Sequence, residues 1–157
     1  ALSNAMVAFD DHPDQWELLC RQPDRHMDGA IEEILRIVSP VHYLRRTATA
    51  DVELGGVPVG AGDPVVAWIT AANRDPAVFD DPHRLDITRD PNPHIAFGLG
   101  THFCLGAHLA RLEIDVVLRA LVERLPGLHI SGPPRRVRTN FINGMKSLPM
   151  RYTPAAA

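Results

Sequence analysis

The sequence is poor in cysteine and in aromatic side chains, and it has no long apolar run. Two cysteines, Cys20 and Cys104, stand far apart among 157 residues, and the sequence has no secretory features. We therefore expect two reduced thiols in a cytoplasmic compartment rather than a disulfide. The longest apolar run, residues 65–72, is interrupted by Thr70 and is far shorter than the roughly 18–20 residues of a membrane helix. No membrane anchor is therefore predicted.

The sequence also lacks a strong excess of charge. Its formal net charge is -3, and the cluster Arg135, Arg136 and Arg138 is most simply a solvated turn, so no nucleic-acid partner is expected. With 45% apolar and 22% charged residues, the composition is that of a globular chain that can bury a core. The chain begins with Ala1 rather than Met and shows no signal peptide. We expect a single partial domain, residues 1–157, from a longer protein.

Apolar periodicity predicts a mainly α fold with small antiparallel β-sheets (α+β). Helical spacing of apolar residues, with proline or glycine at the ends, indicates helices over residues 2–9, 13–21, 27–38 and 105–124. The last of these is apolar nearly all round, so it should be largely buried. The predicted strands of one small sheet are residues 41–48, 52–54, 57–59 and 65–68. Residues 73–93 form an irregular stretch, and Asn143-Gly144 is typical of a hairpin turn.

Cys104 lies in a glycine-rich loop directly before a predicted helix. Unpaired backbone N–H groups and the positive end of the helix dipole favour a thiolate at such a position. The glycines at positions 98, 100 and 106 permit unusual dihedral angles and would let the backbone approach a flat ligand closely. His102 could donate a hydrogen bond to an anionic group on that ligand.

Four interpretations of Cys104 stay open on the residues alone. Zinc could be held by His102, Cys104 and His108, although structural zinc normally takes four ligands in paired spacings. A cysteine nucleophile with a histidine base is a second interpretation, and an inert buried cysteine is a third. The fourth is thiolate ligation of a haem iron, which uses the glycines, the histidine and the helix start together.

Several motifs resemble those of the cytochrome P450 family. The haem-binding loop of that family is similar to the segment Phe97-x-x-Gly100-x-His102-x-Cys104-x-Gly106. Three further segments follow the order of the family: the helix motif Glu33-x-x-Arg36, the bacterial-type segment 72–76, and the arginine motif Pro82-His83-Arg84-Leu85. The similarity covers most of the chain and implies the C-terminal part of the cytochrome P450 fold, from a soluble bacterial-type protein.

The resemblance also implies which residues form the site. The cofactor would be haem b, iron protoporphyrin IX, with Cys104 as the thiolate ligand of the iron and the catalytic residue. The residues implied to hold the haem, including two propionate partners, are Arg46, Phe97, Gly98, Gly100, His102, Cys104 and Gly106. The implied charged network that braces the loop consists of Glu33, Arg36 and Arg84. The implied substrate pocket consists of Val41, His42, Tyr43, Leu44, Phe141, Ile142 and Asn143.

The implied function is that of a haem-thiolate monooxygenase, which inserts one oxygen atom of O2 into a small organic substrate. Nothing in the sequence resembles a flavin or nicotinamide site, so electrons are expected from a ferredoxin-type partner. Arg111 is a candidate contact for that partner, with an internally paired arginine as the equal alternative.

The part of the family's chain that carries its oxygen-activating acid–alcohol pair has no counterpart here, so we do not expect this segment to be active alone. The alternative function is a haem-free truncated remnant that acts as a structural or interaction module. Apolar faces left exposed on the segment favour a non-native dimer.

Overall fold

Helices dominate the chain, which a computed structural model describes over residues 1–125 and 127–153. The helices in these residues are α1 Leu2–Asp11, α2 Pro13–Arg21, α3 Pro23–Val38, α4 Ile69–Ala72 and α5 Ala107–Arg124. The strands are β1 Tyr43–Thr47, β2 Val52–Leu54, β3 Val57–Val59, β4 Pro64–Trp68, β5 His129–Ile130, β6 Arg135–Arg136, β7 Met145–Ser147 and β8 Met150–Arg151. Every strand pair among them is antiparallel. The predicted class, mainly α with small antiparallel sheets, is confirmed.

Proline sets the start of two consecutive helices. Pro13 and Pro23 occupy the first turn of α2 and α3, where a missing N–H is not needed. Helix α3 therefore begins before the apolar stripe that indicated it. It ends at Ser39, which takes a left-handed φ of 41°, and the Ser39 hydroxyl Oγ donates to the carbonyl oxygen of Arg36 at 2.8 Å. The Ser39 side chain therefore caps the C-terminal end of α3.

Helix α3 lies at the centre of the core. Its predicted apolar stripe is confirmed as buried, since these six side chains are at most 5% exposed: Met27, Ala30, Ile31, Ile34, Leu35 and Val38. They pack against α1, α2 and α5. Leu85 and Ile87, from the irregular stretch, join the same cluster. Burial of these two apolar side chains holds the irregular stretch against the core, although the stretch contains few apolar residues.

The first four strands form two separate ladders instead of the one predicted sheet. Strand β1 pairs with β4 from Tyr43↔Trp68 to Thr47↔Pro64, whereas β2 and β3 pair only with each other. Two aspartates bond backbone groups of the turn that connects the two ladders. Asp63 Oδ2 accepts from the N–H of Gly60, and Asp51 Oδ1 accepts from the N–H of Ala61, both at 2.8 Å.

The hairpin predicted at Asn143-Gly144 is present, but these two residues do not form its turn by themselves. Strand β6 pairs with β7 across the longer connection 137–144. Asn143 bonds the end of α3 instead, because its N–H donates to the carbonyl oxygen of Pro40 at 2.9 Å and its Nδ2 donates to that of Val38 at 2.7 Å.

Helix α5 is buried on one face only, so the prediction of a largely buried helix is not met in this chain. Leu118 is fully buried, whereas Leu109, Leu112 and Val116 are each more than half exposed. The reason is that α2 and α3 both pack on the buried face. Separately, none of the helices in residues 1–125 and 127–153 is long and apolar enough to span a bilayer.

Candidate functional site

The loop before α5 is folded by two left-handed glycines and a backbone hydrogen bond across its base. Gly98 has φ 73° and Gly100 has φ 70°, which side chains with a Cβ rarely adopt. Between these glycines and the helix, the N–H of Cys104 donates to the carbonyl oxygen of Phe97 at 2.9 Å. Gly106 differs, because its φ is -85°, so the expected unusual dihedral is present only at Gly98 and Gly100.

The loop presents Cys104 at the start of α5 with its side chain exposed. The carbonyl oxygen of Cys104 accepts from the N–H of Ala107 at 3.2 Å, which starts the helix directly after the cysteine. A Cβ built on Gly106 would lie 4.0 Å from the Cys104 Sγ, so this glycine lies beside the sulfur. The inert buried cysteine is therefore not what the structure contains.

One cavity of about 490 Å³ brings the sulfur together with much of the predicted site. The predicted residues that line it are Val41, Leu44, Arg46, Phe97, Gly98, His102 and Cys104. Sequence reasoning missed a second group of lining residues, which includes Leu35, Ile69, Ala110 and Ile114. The helical apolar pattern of α3 and α5 identifies three of these as interior residues but does not reveal that they face the same space as the cysteine.

An arginine and a histidine, Arg46 and His102, are among the residues that line the cavity. Arg46 is exposed, and its Nη1 donates only to the carbonyl oxygen of Arg45, at 2.9 Å. Within residues 1–125 and 127–153, Arg46 has no carboxylate partner, and the side chain of His102 makes no hydrogen bond. Both groups are therefore free to bind an anionic substituent of a ligand.

These residues fit a thiolate-ligated haem on their chemistry. An accessible thiol, together with a cavity lined mostly by apolar residues and also by a free cation and an imidazole, matches a flat apolar macrocycle that carries carboxylates. A Cβ built on Gly98 would lie 3.4 Å from Leu44 Cδ1, so the lack of a side chain at this lining residue leaves the space next to Leu44 open. The zinc alternative has no support, since no three His, Cys, Asp or Glu side chains of the described segments are placed to hold a metal ion together.

Glu33 and Arg36 form the buried charged pair that the resemblance implies. Both side chains are fully buried, and Arg36 donates Nε to Glu33 Oε2 and Nη2 to Glu33 Oε1, each at 2.7 Å. The remaining donors of Arg36 reach three backbone carbonyl oxygens, those of Asn73 at 2.7 Å, Pro82 at 2.8 Å and Arg84 at 3.1 Å. The pair thereby ties α3 to the irregular stretch on the approach to the cysteine loop.

The side chain of Arg84 is not a member of this network, which corrects the prediction. It is about half exposed, and its Nη2 bonds Asp14 Oδ2 at 2.7 Å, so only its carbonyl oxygen belongs to the network. Arg89 takes the predicted place, with Nε 3.3 Å from Glu33 Oε2 and a side chain only 10% exposed. Asn92 Nδ2 donates to the same oxygen at 3.0 Å. Arg84 ends a turn in which its N–H donates to the carbonyl oxygen of Asp81 at 3.1 Å, and its side chain reaches the exposed Asp14.

The predicted substrate-pocket residues divide into two groups. Val41 and Leu44 line the cavity. The others meet beside it: the N–H of His42 donates to the carbonyl oxygen of Phe141 at 2.9 Å, Val41 and Ile142 form an isolated bridge, and the Tyr43 and Phe141 rings lie 5.5 Å apart.

Asn143, also predicted for the substrate pocket, does not line the cavity that contains Cys104. Besides its bonds to α3, its carbonyl oxygen accepts from Asn4 Nδ2, and its Oδ1 accepts from Arg136 Nη1 at 3.1 Å. Its hydrogen-bonding groups are therefore committed within the chain.

Arg111 is paired inside the chain. Its Nε donates to Glu32 Oε1 at 2.6 Å and its Nη2 to Glu32 Oε2 at 2.9 Å, and its guanidinium carbon lies 4.7 Å from the centre of the Phe97 ring. His94 also bonds Glu32. The hydrogen bond from Arg111, followed by the one from His94, lowers the pKa of Glu32 to about 2, and the same pairing raises the pKa of Arg111. The geometry favours the internally paired alternative for Arg111.

Comparison with known proteins gives matches over nearly the whole chain. The family described as Cytochrome P450 matches residues 24–148. The steroid C26-monooxygenase of Rhodococcus jostii (strain RHA1) is 44% identical over 157 residues, which are 99% of this chain and 33% of that protein. The linalool 8-monooxygenase of Pseudomonas putida is 39% identical over 154 residues, which are 98% of this chain and 38% of that protein.

A solved structure gives the same result for the fold. The crystal structure of CYP109E1 from Bacillus megaterium in complex with testosterone superposes with a TM-score of 0.90 at 39% sequence identity. The superposition covers 95% of this chain and 42% of that chain. The chain spans about a third of the length of the curated relatives that it matches.

Proposed function

This chain belongs to the cytochrome P450 family, and from that premise we propose that the whole protein containing it is a haem-thiolate monooxygenase. The observation that carries the proposal is the single cavity in which the exposed Cys104 thiol meets Arg46, His102 and an apolar lining. When bound there, haem supplies the iron at which dioxygen is cleaved and one oxygen atom is transferred to an organic substrate.

The residues of this chain would hold the cofactor and shape its surroundings. Cys104 would ligate the iron through its thiolate, and Arg46 with His102 would bind the propionates. Phe97 and Gly98 would lie along the macrocycle, because both line the cavity beside the cysteine. Apolar packing around a ligating sulfur excludes water and tunes the metal, which is the task these side chains would perform.

We propose a small, largely apolar organic molecule as the substrate. The support is the lining of the cavity, in which Val41 and Leu44 add aliphatic surface next to the cysteine loop. The names of two relatives, a steroid C26-monooxygenase and a linalool 8-monooxygenase, agree with a substrate of that character. Residues of the remainder of the protein would complete the pocket.

We also propose that a ferredoxin-type protein supplies the electrons. The support is that Cys104 and the neighbouring Phe103 are both exposed in this segment, so that a protein donor could approach the cysteine loop. Arg111 would add little direct attraction for an acidic partner, since Glu32 already binds it through two hydrogen bonds. Reduction by ferredoxin measured over a range of ionic strengths tests this, and Glu32→Gln combined with Arg111→Gln, which removes both charges of the pair, should leave its salt dependence nearly unchanged.

The test of the main proposal is the spectrum of the full-length protein. We expect a red-shifted Soret band in its reduced carbonyl complex, and we expect Cys104→Ala to abolish that band. Cys20→Ala is the matched control, because Cys20 is partly buried against the core and does not line the cavity. A parent protein without the band, or a Cys104→Ala variant that keeps it, overturns the proposal and favours the haem-free structural module.

A further inference from the structure

One carboxylate on α3 joins two separate parts of the cysteine region. Glu32 accepts two hydrogen bonds from Arg111, which lies on α5 after the cysteine. Its Oε2 also lies 2.9 Å from Nε2 of His94, which precedes the cysteine loop. Its neighbour Glu33 serves the other network, so Glu32 and Glu33 brace different segments. The function proposed above does not yet use Glu32.

The proton positions of His94 follow from its partners. The backbone N–H of Ala96 donates to His94 Nδ1 at 3.2 Å, so Nδ1 is the unprotonated nitrogen. Nε2 therefore carries the proton, and this N–H donates a hydrogen bond to the Glu32 carboxylate. The His94 side chain is only 4% exposed, so the carboxylate holds this ring in a buried position at the beginning of the loop.

The second partner of Glu32 leads to the cysteine in two contacts. The guanidinium of Arg111 stacks on Phe97 with 4.7 Å between its central carbon and the ring centre. The carbonyl oxygen of Phe97 then accepts the backbone N–H of Cys104 at 2.9 Å. Glu32 is the only carboxylate that pairs with Arg111 in the described part of the chain, so Glu32 alone neutralises the positive charge of Arg111 beside Phe97.

We propose that Glu32 is a positioning residue for Cys104. It neutralises Arg111 and holds the guanidinium on Phe97, and it also holds His94. In this way Glu32 sets the charge around the ligating sulfur and therefore the reduction potential of the iron. The inference rests on the proposed function. It concerns residues outside the cavity, since neither Glu32 nor Arg111 lines it.

The sign of the effect follows from the charges. Glu32→Gln keeps the size of the side chain and one acceptor but removes the negative charge, which leaves the cation of Arg111 unbalanced beside Phe97. A positive charge stabilises the reduced state, because reduction adds an electron. We therefore expect the reduction potential to rise in this variant. The pKa of Glu32, about 2, means that the carboxylate is ionised in the parent at neutral pH.

The test is a mediated redox titration of the full-length holoenzyme. We expect Glu32→Gln to raise the potential, and Glu32→Gln combined with Arg111→Gln to bring it at least halfway back, because the pair of substitutions removes both charges. Glu17→Gln is the matched control, since Glu17 forms an exposed ion pair with Arg21 on α2. We expect the potential of this control to equal that of the parent.

Two results would overturn the inference. An unchanged potential in Glu32→Gln would mean that the carboxylate is only a structural contact. Equal shifts in the single and the double variant would mean that lost packing, and not charge, moves the potential. The proposed function is judged separately, on the carbonyl spectrum of the parent before any variant is compared.

Discussion

Removal of the Arg36 side chain is expected to destabilise the protein severely. Arg36 is fully buried and makes two hydrogen bonds to Glu33 and three to backbone carbonyl oxygens. In Arg36→Ala, the Glu33 carboxylate keeps the weaker contacts to Arg89 and Asn92, but it loses its bidentate partner. The carbonyl groups of the irregular stretch are left without their donor.

The magnitude follows from these contacts. Breaking a buried ion pair by removing one partner costs about 3–5 kcal/mol, and each buried carbonyl left unsatisfied costs about 1–3 kcal/mol. Arg89 compensates part of the charge, but the unsatisfied carbonyl groups add to the cost, so we expect a loss of at least about 4 kcal/mol. A typical domain has a free energy of unfolding of about 5–15 kcal/mol, so this loss is a large share of it.

Urea unfolding of the full-length protein, with haem content measured in parallel, checks the prediction. Arg21→Ala is the control, because its exposed pair with Glu17 is worth about 0–1 kcal/mol. Arg36→Lys serves where the alanine variant fails to fold, since it keeps the charge but not the planar fork, and it should give an intermediate loss. An Arg36→Ala protein that unfolds within about 1 kcal/mol of the parent and retains normal haem content would refute the reasoning.

Three further predictions address the carboxylate network, the loop and the exposed helix face. The folded-state pKa of Glu32 is about 2, below the ordinary value of 4.5, so its contribution is present above pH 4.5 and is lost as the pH falls towards 2. We expect Glu32→Gln to lower the free energy of unfolding by about 1 kcal/mol at pH 7, after allowance for the exposed third of the Glu32 side chain, and by almost nothing near pH 2. A difference in unfolding free energy that does not change with pH would contradict this. Gly98→Ala should lower the free energy of unfolding by about 1–2 kcal/mol, because Gly98 has a φ of 73°. Gly106→Ala should lower it much less, because Gly106 has a φ of -85°. Thermal unfolding measures both losses, and equal values would be inconsistent with the loop geometry. The isolated segment should form dimers or larger species by light scattering because Leu112 and its neighbours on α5 are exposed, and Leu112→Gln should reduce that association; a monomeric parent segment would show the prediction to be wrong.

Local signals in the sequence were enough to predict α1, α2, α3, α5 and the cysteine loop, whereas the short helix α4 was not predicted. Proline at the start and apolar residues at helical spacing predicted α2 and the buried face of α3, because these signals act between residues close in the chain. The glycines and Cys104 were recognisable for the same reason, since their spacing is part of one short segment. The structure then gathered Cys104, His102 and Arg46 at one cavity, as the resemblance implied.

The tertiary structure alone decided which distant side chains meet. Arg84 and Arg89 are five positions apart in an irregular stretch without periodicity, so only the path of the chain determines that Arg89 reaches Glu33. The separation of β1–β4 from β2–β3 is likewise a matter of which strands meet, since all four segments carry similar strand signals. Glu32 stands next to Glu33 in the helix, yet it binds a different partner, because neighbouring helical residues point about 100° apart and meet different segments. Such contacts depend on where separate elements pack, which local spacing does not encode.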